Sequence, residues 1–410
     1  MTPAKSKLRL FLFFFFLVVI SLKAQPQPYV ILISFDGLRW DYINRNISPN
    51  ISELSERGIT ALSLRPVFPT KTFPNHISII TGMYPENHGI IANEFVDIKN
   101  DDEYKMWDKS IALNSKWYKG EAFWETARKY GVITASYFWP SSDVDNQDKR
   151  PDYFHVYEHN RPYPERIAGV INWFNLPYEK RPHFVTLYFD LTDGVGHKFG
   201  PDSEEINIAI AQIDTLFGLL IDGFREINLL DSINIIVSSD HGMTEVSNEK
   251  LIVVDEMLDG YDYLFSNTGP FMLIYSEEDD TEKIYGILKE EENHYNVYKR
   301  EDVPEYFHFS QNYLIGDLVL IADMGWSLIN QEQFERIKET PYPSKGNHGY
   351  DNFHLDMHGV LIAAGPSFKQ NYKTGTINSI DIYPLLCKIL NCTPAENIDG
   401  DLKRIEYILK

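Results

Sequence analysis

Short apolar runs that end at an acidic residue or a glycine recur along this chain, and they constrain its fold more than any other feature. The first is Tyr29–Phe35, which leads directly into Asp36 and Gly37. Runs of the same kind lie at 132–139, 184–189, 233–239 and 360–364. Continuous apolar strands are typical of parallel sheets covered on both faces, and their carboxyl ends deliver polar side chains to one edge.

Helical patterns separate these runs. The clearest covers 203 to about 227, where isoleucine and leucine form a broad apolar face and Asp202 and Glu205 have the spacing of a capping box. Further helices are predicted at about 120–130 and 380–390. The alternation predicts an α/β fold, with a mostly parallel central sheet flanked by helices. The region from about 245 to 345 is more acidic and differently patterned, so we expect a smaller insertion there within one domain over 25–410.

The N-terminus has the form of a targeting segment. Lys5, Lys7 and Arg9 precede an apolar run over 10–22. That run is shorter than the roughly 20 residues needed to cross a bilayer, and it fits the apolar core of a secretory signal. We expect a signal peptide over 1–24, no stable membrane span and a secreted or periplasmic protein. A signal anchor that is left uncleaved is the alternative.

Charge and cysteine content exclude some functions. The chain carries 38 basic and 59 acidic residues, a formal net charge of −21, so we expect no binding to nucleic-acid duplexes. An acidic enzyme can still take a small anionic substrate if bound metal ions dominate the local field. Disulfides do not hold the fold, because only Cys387 and Cys392 are present; these two could pair locally in an oxidising compartment.

The segment 69–76, Pro-Thr-Lys-Thr-Phe-Pro-Asn-His, has the form of a nucleophile at a helix entrance. Pro74 suits a first helical turn, and Gly82 ends the apolar run that follows. A hydroxyl of Thr70 or Thr72 at that position would lie near free backbone N–H groups and the positive end of the helix dipole, which favours an incoming phosphate. The alternative is an ordinary helix cap.

Six candidate metal ligands stand where strand patterns stop or loops begin. They are Asp36, Asp193, His197, Asp240, His241 and His348. Three carboxylates and three imidazoles suit Zn²⁺. Any one of them alone is more simply a cap or a surface group, but all six together with a hydroxyl at a helix entrance predict a metal site.

Seven segments resemble the nucleotide pyrophosphatase/phosphodiesterase family of the alkaline phosphatase superfamily. They are 29–37, 68–76, 84–90, 138–140, 193–201, 239–243 and 348–352, and they cover nearly all of the chain after the signal. The resemblance implies an alkaline phosphatase-like fold and two Zn²⁺ ions. It implies that Thr72 is the nucleophile and that Asn93 helps to bind a phosphoryl oxygen. One ion would be held by Asp193, His197 and His348, and the other by Asp36, Asp240, His241 and Thr72.

The activity implied by the resemblance is hydrolysis of nucleotide phosphodiester or phosphoanhydride bonds through a nucleotidyl-threonine intermediate. Phe73, Tyr137 and Tyr188 are predicted to line the substrate pocket, where aromatic faces could stack a nucleobase. The stretch 190–195 departs from the Glu-Glu-Pro-Asp-Ser-Ser of many relatives but keeps the ligand. A lysophospholipid or choline phosphodiesterase on the same scaffold is an alternative, and so is a catalytically inactive binding protein. A phosphomonoesterase is disfavoured because 69–76 contain no arginine.

Overall fold

The structure is a computed structural model that describes residues 27–339 and 344–410; the expected signal peptide lies outside the described residues. The strands of the described residues, in chain order, are β1 Tyr29–Phe35, β2 Ile59–Ala61, β3 Leu64–Arg65, β4 Glu94–Asp97, β5 Asp102–Lys105, β6 Thr134–Tyr137, β7 Tyr153–His155, β8 Phe184–Phe189, β9 Ile233–Ser238, β10 Thr244–Glu245, β11 Leu251–Val253, β12 Leu264–Ser266, β13 Phe271–Tyr275, β14 Tyr295–Lys299, β15 Leu318–Ala322, β16 Ser327–Ile329, β17 Gly346–Asn347, β18 Leu361–Ala364, β19 Tyr372–Thr374 and β20 Ile377–Asn378.

The α-helices of the same residues are α1 Pro49–Arg57, α2 Thr72–Thr81, α3 Pro85–His88, α4 Lys109–Ala112, α5 Phe123–Lys129, α6 Tyr163–Phe174, α7 Leu191–Phe199, α8 Glu204–Glu226, α9 Val254–Met257, α10 Glu278–Glu290, α11 Gln331–Glu339 and α12 Ile382–Ile389. Cys387, on α12, and Cys392 are both buried free thiols.

Eight strands form the central sheet, in the order β19-β2-β18-β9-β1-β8-β6-β7. The central strand β1 runs parallel to both β8 and β9. Only β18 runs against its two neighbours; all other pairings in this sheet are parallel. The predicted α/β fold with a mostly parallel sheet is therefore confirmed. The direction of β18 was not readable from its sequence, because a buried strand is apolar throughout in either direction.

Helices cover both faces of this sheet, and β1 shows how the sequence divides between them. Ile31 and Ile33 pack in a cluster with buried residues of α6 and α8. Val30 and Leu32 point the other way, into a cluster with residues of α5 and α12. Successive side chains of a strand alternate between faces, so a strand buried on both sides must be apolar at every position. Both faces of β1 are therefore closed to water, and its polar continuation begins at Asp36.

The N-cap of helix α8 lies one residue after the predicted cap, Asp202. The Ser203 hydroxyl accepts a hydrogen bond from the Ile206 N–H at 3.2 Å and is the N-cap. The predicted capping box of Asp202 and Glu205 is wrong. Asp202 instead accepts hydrogen bonds from Arg39 and Arg45, at 2.8 and 2.9 Å. Two guanidinium groups compete successfully for that carboxylate, and the adjacent serine supplies the capping oxygen.

Helix α8 is also the one helix of the described residues that is long and apolar enough to cross a membrane by length and composition. In the fold its apolar face is buried against the sheet and against α1, α6 and α7. Ile206, Ile210 and Ile213 on that face have no exposed surface.

A second, antiparallel sheet of four strands, in the order β12-β13-β15-β14, lies between β10 and β17 in the sequence. Phe271 of this sheet and the nearby Phe307 and Phe309 pack around Phe68, which lies in the segment leading to α2. β10 pairs with β17, so the chain leaves the main sheet and returns at adjacent points. The exact limits of an insertion at about 245–345 stay a prediction.

Ser203→Ala should lower the free energy of unfolding by about 1 kcal/mol, because it removes the side-chain acceptor for an N-terminal N–H of α8. Glu205→Ala is the matched control: its side chain is exposed, so we expect a change within about 0.5 kcal/mol. Denaturant-unfolding midpoints of the two variants measure the difference. An equal or larger loss for Glu205→Ala would reinstate the capping box expected from the sequence.

Candidate active site

Three carboxylates meet at the carboxyl edge of the central sheet. Asp36 directly follows β1, Asp240 follows β9 by two residues, and Asp193 lies in the first turn of α7, which begins after β8. These strands are neighbours and run in the same direction, so their carboxyl ends lie side by side. The topology therefore brings to one place three acidic residues that are up to two hundred positions apart in the sequence.

Two groups of possible metal ligands share this edge. In one, the Nε2 atom of His241 lies 3.3 Å from Asp36 Oδ1 and 3.1 Å from Asp240 Oδ2. The other contains His197 and His348, whose Nε2 atoms lie 3.3 and 3.5 Å from Asp193 Oδ1. The rings of His241 and His348 stack with centroids 3.5 Å apart, so the two groups adjoin.

The three imidazoles are oriented by the backbone. The Nδ1 atoms of His197, His241 and His348 lie 2.8, 2.9 and 2.7 Å from the carbonyl oxygens of Gly346, Gly242 and Thr70 respectively. A carbonyl can only accept, so each Nδ1 carries the proton and each Nε2 keeps its lone pair. Carbonyls that accept from the other ring nitrogen in this way fix the ring orientation and tautomer of metal-binding histidines.

The unpaired atoms of the cluster fit a bound cation. Asp36 Oδ1, Asp193 Oδ1 and Asp240 Oδ2 are buried and have no hydrogen-bond partner within the part of the chain that the structure describes. They face the Nε2 lone pairs, and two acceptors 3.1–3.5 Å apart repel each other unless a cation lies between them. The donor set is suited to Zn²⁺. The ligand atoms of Asp36, Asp240 and His241 lie within 4.8 Å of one another, and so do those of Asp193, His241 and His348.

The pKa values of the Asp36 and Asp240 carboxyls also indicate that the site fits a bound cation. Burial raises the pKa of the Asp36 carboxyl well above its ordinary value, and the adjacent Asp240 and Asp193 carboxylates raise it further. Burial also raises the pKa of Asp240. The pKa of His348 is well below its ordinary value, again because of burial. The pair of Asp193 and His197 differs: although burial acts the other way, His197 lowers the pKa of Asp193 and Asp193 raises the pKa of His197. For Asp36 and Asp240 to be anionic at neutral pH, a positive charge must come from outside the side chains of this cluster.

Thr72 is the first residue of α2, and its hydroxyl oxygen lies 3.3 Å from His241 Nε2. The segment before it is held by Asn75: Asn75 Oδ1 accepts from the Val67 N–H at 2.7 Å, and Asn75 Nδ2 donates to the carbonyls of Pro69 and Lys71. The Thr72 hydroxyl thus lies at the N-terminus of α2, beside the first ligand group, which consists of Asp36, Asp240 and His241.

Thr70 is used differently. Its hydroxyl oxygen accepts from the Gly349 N–H at 2.7 Å and donates to the Tyr350 carbonyl at 3.2 Å. Its own carbonyl orients His348. Both ends of the Thr70 hydroxyl are therefore committed to the loop that carries His348.

Comparisons with known proteins agree with this geometry. The family model for type I phosphodiesterase/nucleotide pyrophosphatase matches residues 30–351. The chain belongs to this family. It is 36% identical to human ectonucleotide pyrophosphatase/phosphodiesterase family member 1 over 93% of the chain, but this alignment covers 42% of that relative. It is 34% identical to bis(5'-adenosyl)-triphosphatase of Xenopus laevis, over 93% of the chain and 81% of the relative.

A solved relative matches the whole architecture. Murine ectonucleotide pyrophosphatase/phosphodiesterase 5, solved as an inactive threonine-to-alanine variant in complex with AMP, superposes with a TM-score of 0.87 at 31% identity. The match covers 94% of this chain and 100% of the murine chain. The fold of this family member is therefore the one that the resemblance implied.

Of the other site residues predicted for this phosphodiesterase-family chain, three lie near the ligand groups and one does not. Asn93 Oδ1 accepts from the Phe73 N–H at 3.0 Å, beside Thr72. The Phe73 ring is partly exposed and contacts Tyr104. Tyr188 donates to Asp36 Oδ2 at 2.5 Å, so it lies behind a ligand. Tyr137 is not brought to the cluster.

Tyr137 packs instead into the core beside α6. Its ring contacts Trp173 and His155, and a side chain at Gly169 would collide with it. A different aromatic residue lies nearer the ligands. Tyr157 is partly exposed, contacts Phe138 and Tyr188, and interacts electrostatically with Asp36. Its polar sequence neighbours gave no sign of this position, which only the fold creates.

His76 is a second residue that the sequence analysis did not single out. It is fully buried beneath Thr72, donates from Nδ1 to the Thr72 carbonyl at 2.9 Å, and accepts from the Ser34 hydroxyl at Nε2. Its ring contacts Trp139 and Tyr188. His76 thus ties the first turn of α2 to β1. A histidine within the same motif as the nucleophile was the available signal.

Metal removal should destabilise the protein, and more so at higher pH. The raised pKa values of Asp36 and Asp240 mean that these two carboxyls hold more protons in the folded metal-free protein than in the unfolded chain, so their contribution to stability falls as pH rises above about 4. Adding Zn²⁺ to the chelated, metal-free protein should therefore raise its thermal unfolding midpoint. We expect a rise of about 5 °C or more at near-neutral pH and a smaller rise in acid. Asp240→Asn is the comparison variant and should reduce the response. An equal response at both pH values would contradict the electrostatic account.

Proposed function

We propose that this protein hydrolyses nucleotide phosphodiester or phosphoanhydride bonds outside the cytoplasm, with two Zn²⁺ ions and Thr72 as the nucleophile. The observation that carries the proposal is the position of the Thr72 hydroxyl, 3.3 Å from His241 Nε2 and at the N-terminus of α2. Extracytoplasmic placement is supported by the apolar N-terminal run and by the names of the ectoenzyme relatives.

Each ion has a defined set of ligands in this proposal. Asp193, His197 and His348 would hold one, and Asp36, Asp240, His241 and Thr72 the other. When bound, two such ions stabilise charge on the attacking and leaving oxygens of an in-line displacement and supply hydroxide from water. The carbonyls of Gly346, Gly242 and Thr70 keep the three imidazoles in the tautomer that this binding needs.

Thr72 carries the covalent step. Its hydroxyl releases its proton to solvent as the oxygen forms a bond to phosphorus; the bond from phosphorus to the leaving oxygen breaks, and that oxygen takes the electron pair and then a proton from water. In the second step water attacks the phosphorus of the nucleotidyl-threonine, the bond from phosphorus to the Thr72 oxygen breaks, the nucleotide is released, and a proton of the water restores the Thr72 hydroxyl. Asn75 and His76 hold the entrance and first turn of α2, so the hydroxyl is positioned before substrate arrives.

Asn93 provides a neutral donor for the phosphoryl group. It uses Oδ1 to accept from the Phe73 N–H, which leaves its Nδ2 group to donate to a phosphoryl oxygen. Donors fixed before the reaction stabilise developing charge without the cost of reorganising solvent.

The nucleoside would lie against aromatic rings at the rim. Phe73 adjoins the nucleophile, and Tyr157 lies on Phe138 and Tyr188 beside the first ligand group. Aromatic faces stack on any base, at about 1–3 kcal/mol per base. The AMP complex of the murine relative supports a nucleoside monophosphate as the bound half of the substrate. Tyr188 supports the site by its hydrogen bond to Asp36 and as one of these aromatic rings.

Thr72→Ala should lower kcat for a p-nitrophenyl ester of thymidine 5′-monophosphate by roughly three orders of magnitude or more, because the nucleophile is lost. Thr70→Ala is the matched control and removes two hydrogen bonds to the His348 loop, so we expect a loss nearer tenfold. Mass spectrometry of rapidly quenched enzyme should find the nucleotidyl adduct on Thr72. If the ranking reversed, Thr70 would be the nucleophile.

Diesters should be preferred to monoesters. A monoester brings an extra negative charge, and the donor beside Thr72 is the neutral side-chain amide of Asn93. We expect kcat/KM for the same nucleotide ester to exceed that for p-nitrophenyl phosphate by about 100-fold or more. The leaving group is common to both substrates, so the ratio isolates charge and the nucleoside. Equal values would indicate a phosphomonoesterase, and cleavage of lysophosphatidylcholine alone would refute only the nucleoside pocket.

A further inference from the structure

The two cysteines of the chain occupy paired positions at the C-terminus of α12. Leu390 is the C-cap of this helix, and the next residue, Asn391, is left-handed with a φ of 55°. The Cys392 N–H donates to the Cys387 carbonyl at 2.8 Å. The Asn391 N–H donates to the Lys388 carbonyl at 3.4 Å. These two hydrogen bonds form a Schellman motif, in which the side chains at the positions of Cys387 and Cys392 commonly pack together.

The backbone of this motif holds the two cysteines within reach of a disulfide. Because a hydrogen bond of 2.8 Å joins the Cys392 nitrogen to the Cys387 carbonyl oxygen, covalent geometry limits their Cα separation to about 6.7 Å or less. Disulfides join Cα atoms that are roughly 4.4–6.8 Å apart. Both side chains belong to one buried cluster and are free thiols. Joining the two sulfurs therefore requires side-chain rotation and no rearrangement of the backbone.

This helix terminus also supports the far end of the helix that carries the proposed nucleophile. The segment that begins at Cys392 returns to the C-terminus of α2, where the N–H groups of Asp399 and Gly400 donate to the Gly82 carbonyl at 2.8 and 2.9 Å. Tyr383 of α12 lies against the same glycine, because a Cβ at Gly82 would be 3.0 Å from the Tyr383 Cβ. A crosslink at the end of α12 would thus restrain the segment that closes the C-terminus of α2.

We propose that Cys387 and Cys392 form a disulfide as the chain folds in an oxidising compartment, and that this bond stabilises the C-terminal segment against α2. Exchange with the disulfide of an oxidant, such as oxidised glutathione or a thiol–disulfide oxidoreductase, balances the step. The S–S bond of the oxidant breaks, an S–S bond forms between the two cysteines, and the two protons and two electrons that they lose leave with the oxidant as two thiols. This rests on the proposed extracytoplasmic placement, because cytosolic thiols are kept reduced.

Folding fixes the redox state of the pair. Burial raises the pKa of the Cys387 thiol, and it raises the pKa of Cys392 to about 11. Because the thiolate is the form that reacts, both thiols exchange slowly once they are buried. We therefore expect pairing before α12 is fully packed, and slow reduction of the bond afterwards. The reduced and the disulfide-bonded chain are then two long-lived forms that can be compared directly.

Refolding tests the pairing separately from the location of the protein. The full chain is denatured, reduced and refolded with Zn²⁺, either in a glutathione buffer at the potential of a secretory compartment or in tris(2-carboxyethyl)phosphine. After denaturation and alkylation, intact mass should show no alkylated cysteine in the first sample and two in the second. Trypsin cleaves after Lys388, between the cysteines, so the paired form should yield two peptides joined by the disulfide. Two alkylated thiols after oxidative refolding, or a disulfide between two chains, would overturn the proposal.

Thermal unfolding measures the stabilisation. The disulfide form should unfold about 4 °C above the reduced form, as expected for a crosslink that closes a short loop. Cys392→Ala is the matched control: it cannot pair, so its midpoint should be the same in both buffers. Equal midpoints for the two wild-type forms would refute the stabilising role.

The outcome for this pair is distinguishable from the outcome for the proposed function. The bond is remote from Thr72, so both forms should hydrolyse the p-nitrophenyl ester of thymidine 5′-monophosphate at rates within about twofold of each other. Absence of hydrolysis in both forms would count against the proposed function, whereas the alkylation result stands without turnover. Two free thiols in the chain purified from cells that export it, beside pairing on refolding, would support the geometry and contradict the extracytoplasmic placement.

Discussion

The burial of three carboxylates at one edge of the sheet is the constraint on which the site depends. Moving an ion out of water costs several kcal/mol unless an opposite charge compensates it. Asp36, Asp193 and Asp240 each keep one oxygen without a hydrogen-bond partner among the described residues, so they gain no such compensation from hydrogen bonds at those atoms. Histidine lone pairs face the same unpaired carboxylate oxygens, because backbone carbonyls fix the histidine tautomers. The loop of Thr70 and the position of α2 contribute to this arrangement. The arrangement becomes favourable when cations occupy those points.

Much of this was readable from the sequence because the ligands come directly after recognisable strands. A buried parallel strand must be apolar at every position, so the first acidic residue after it marks the sheet edge, as Asp36 does after β1. Helix α2 was equally readable, since Pro74 lies in its first turn and Gly82 adopts the left-handed conformation that ends it. Whether these residues bind metal and catalyse is still a proposal.

The errors arose where tertiary contacts compete for a side chain. Asp202 has the spacing of a cap, yet two arginines from the β1–α1 connection bind it and Ser203 caps α8. Tyr137 lies within the predicted strand 132–139, and the structure does not bring it to the ligand groups, because the small Gly169 on α6 leaves space for its ring in the core. Tyr157, which no sequence pattern marked, lies nearer the ligand groups. Local pattern identifies strands and helices, but the partner of a single aromatic or acidic side chain is decided by surfaces distant in sequence.

Charge balance explains how a chain with a net charge of −21 can act on anions. If two divalent ions bind as proposed, they leave one positive charge in excess of the three carboxylates, which would suit the single negative charge of a diester better than the two of a monoester. Acidic residues elsewhere on the surface are screened beyond about 8 Å at physiological ionic strength, so in this proposal the charge balance within the site outweighs the net charge of the chain.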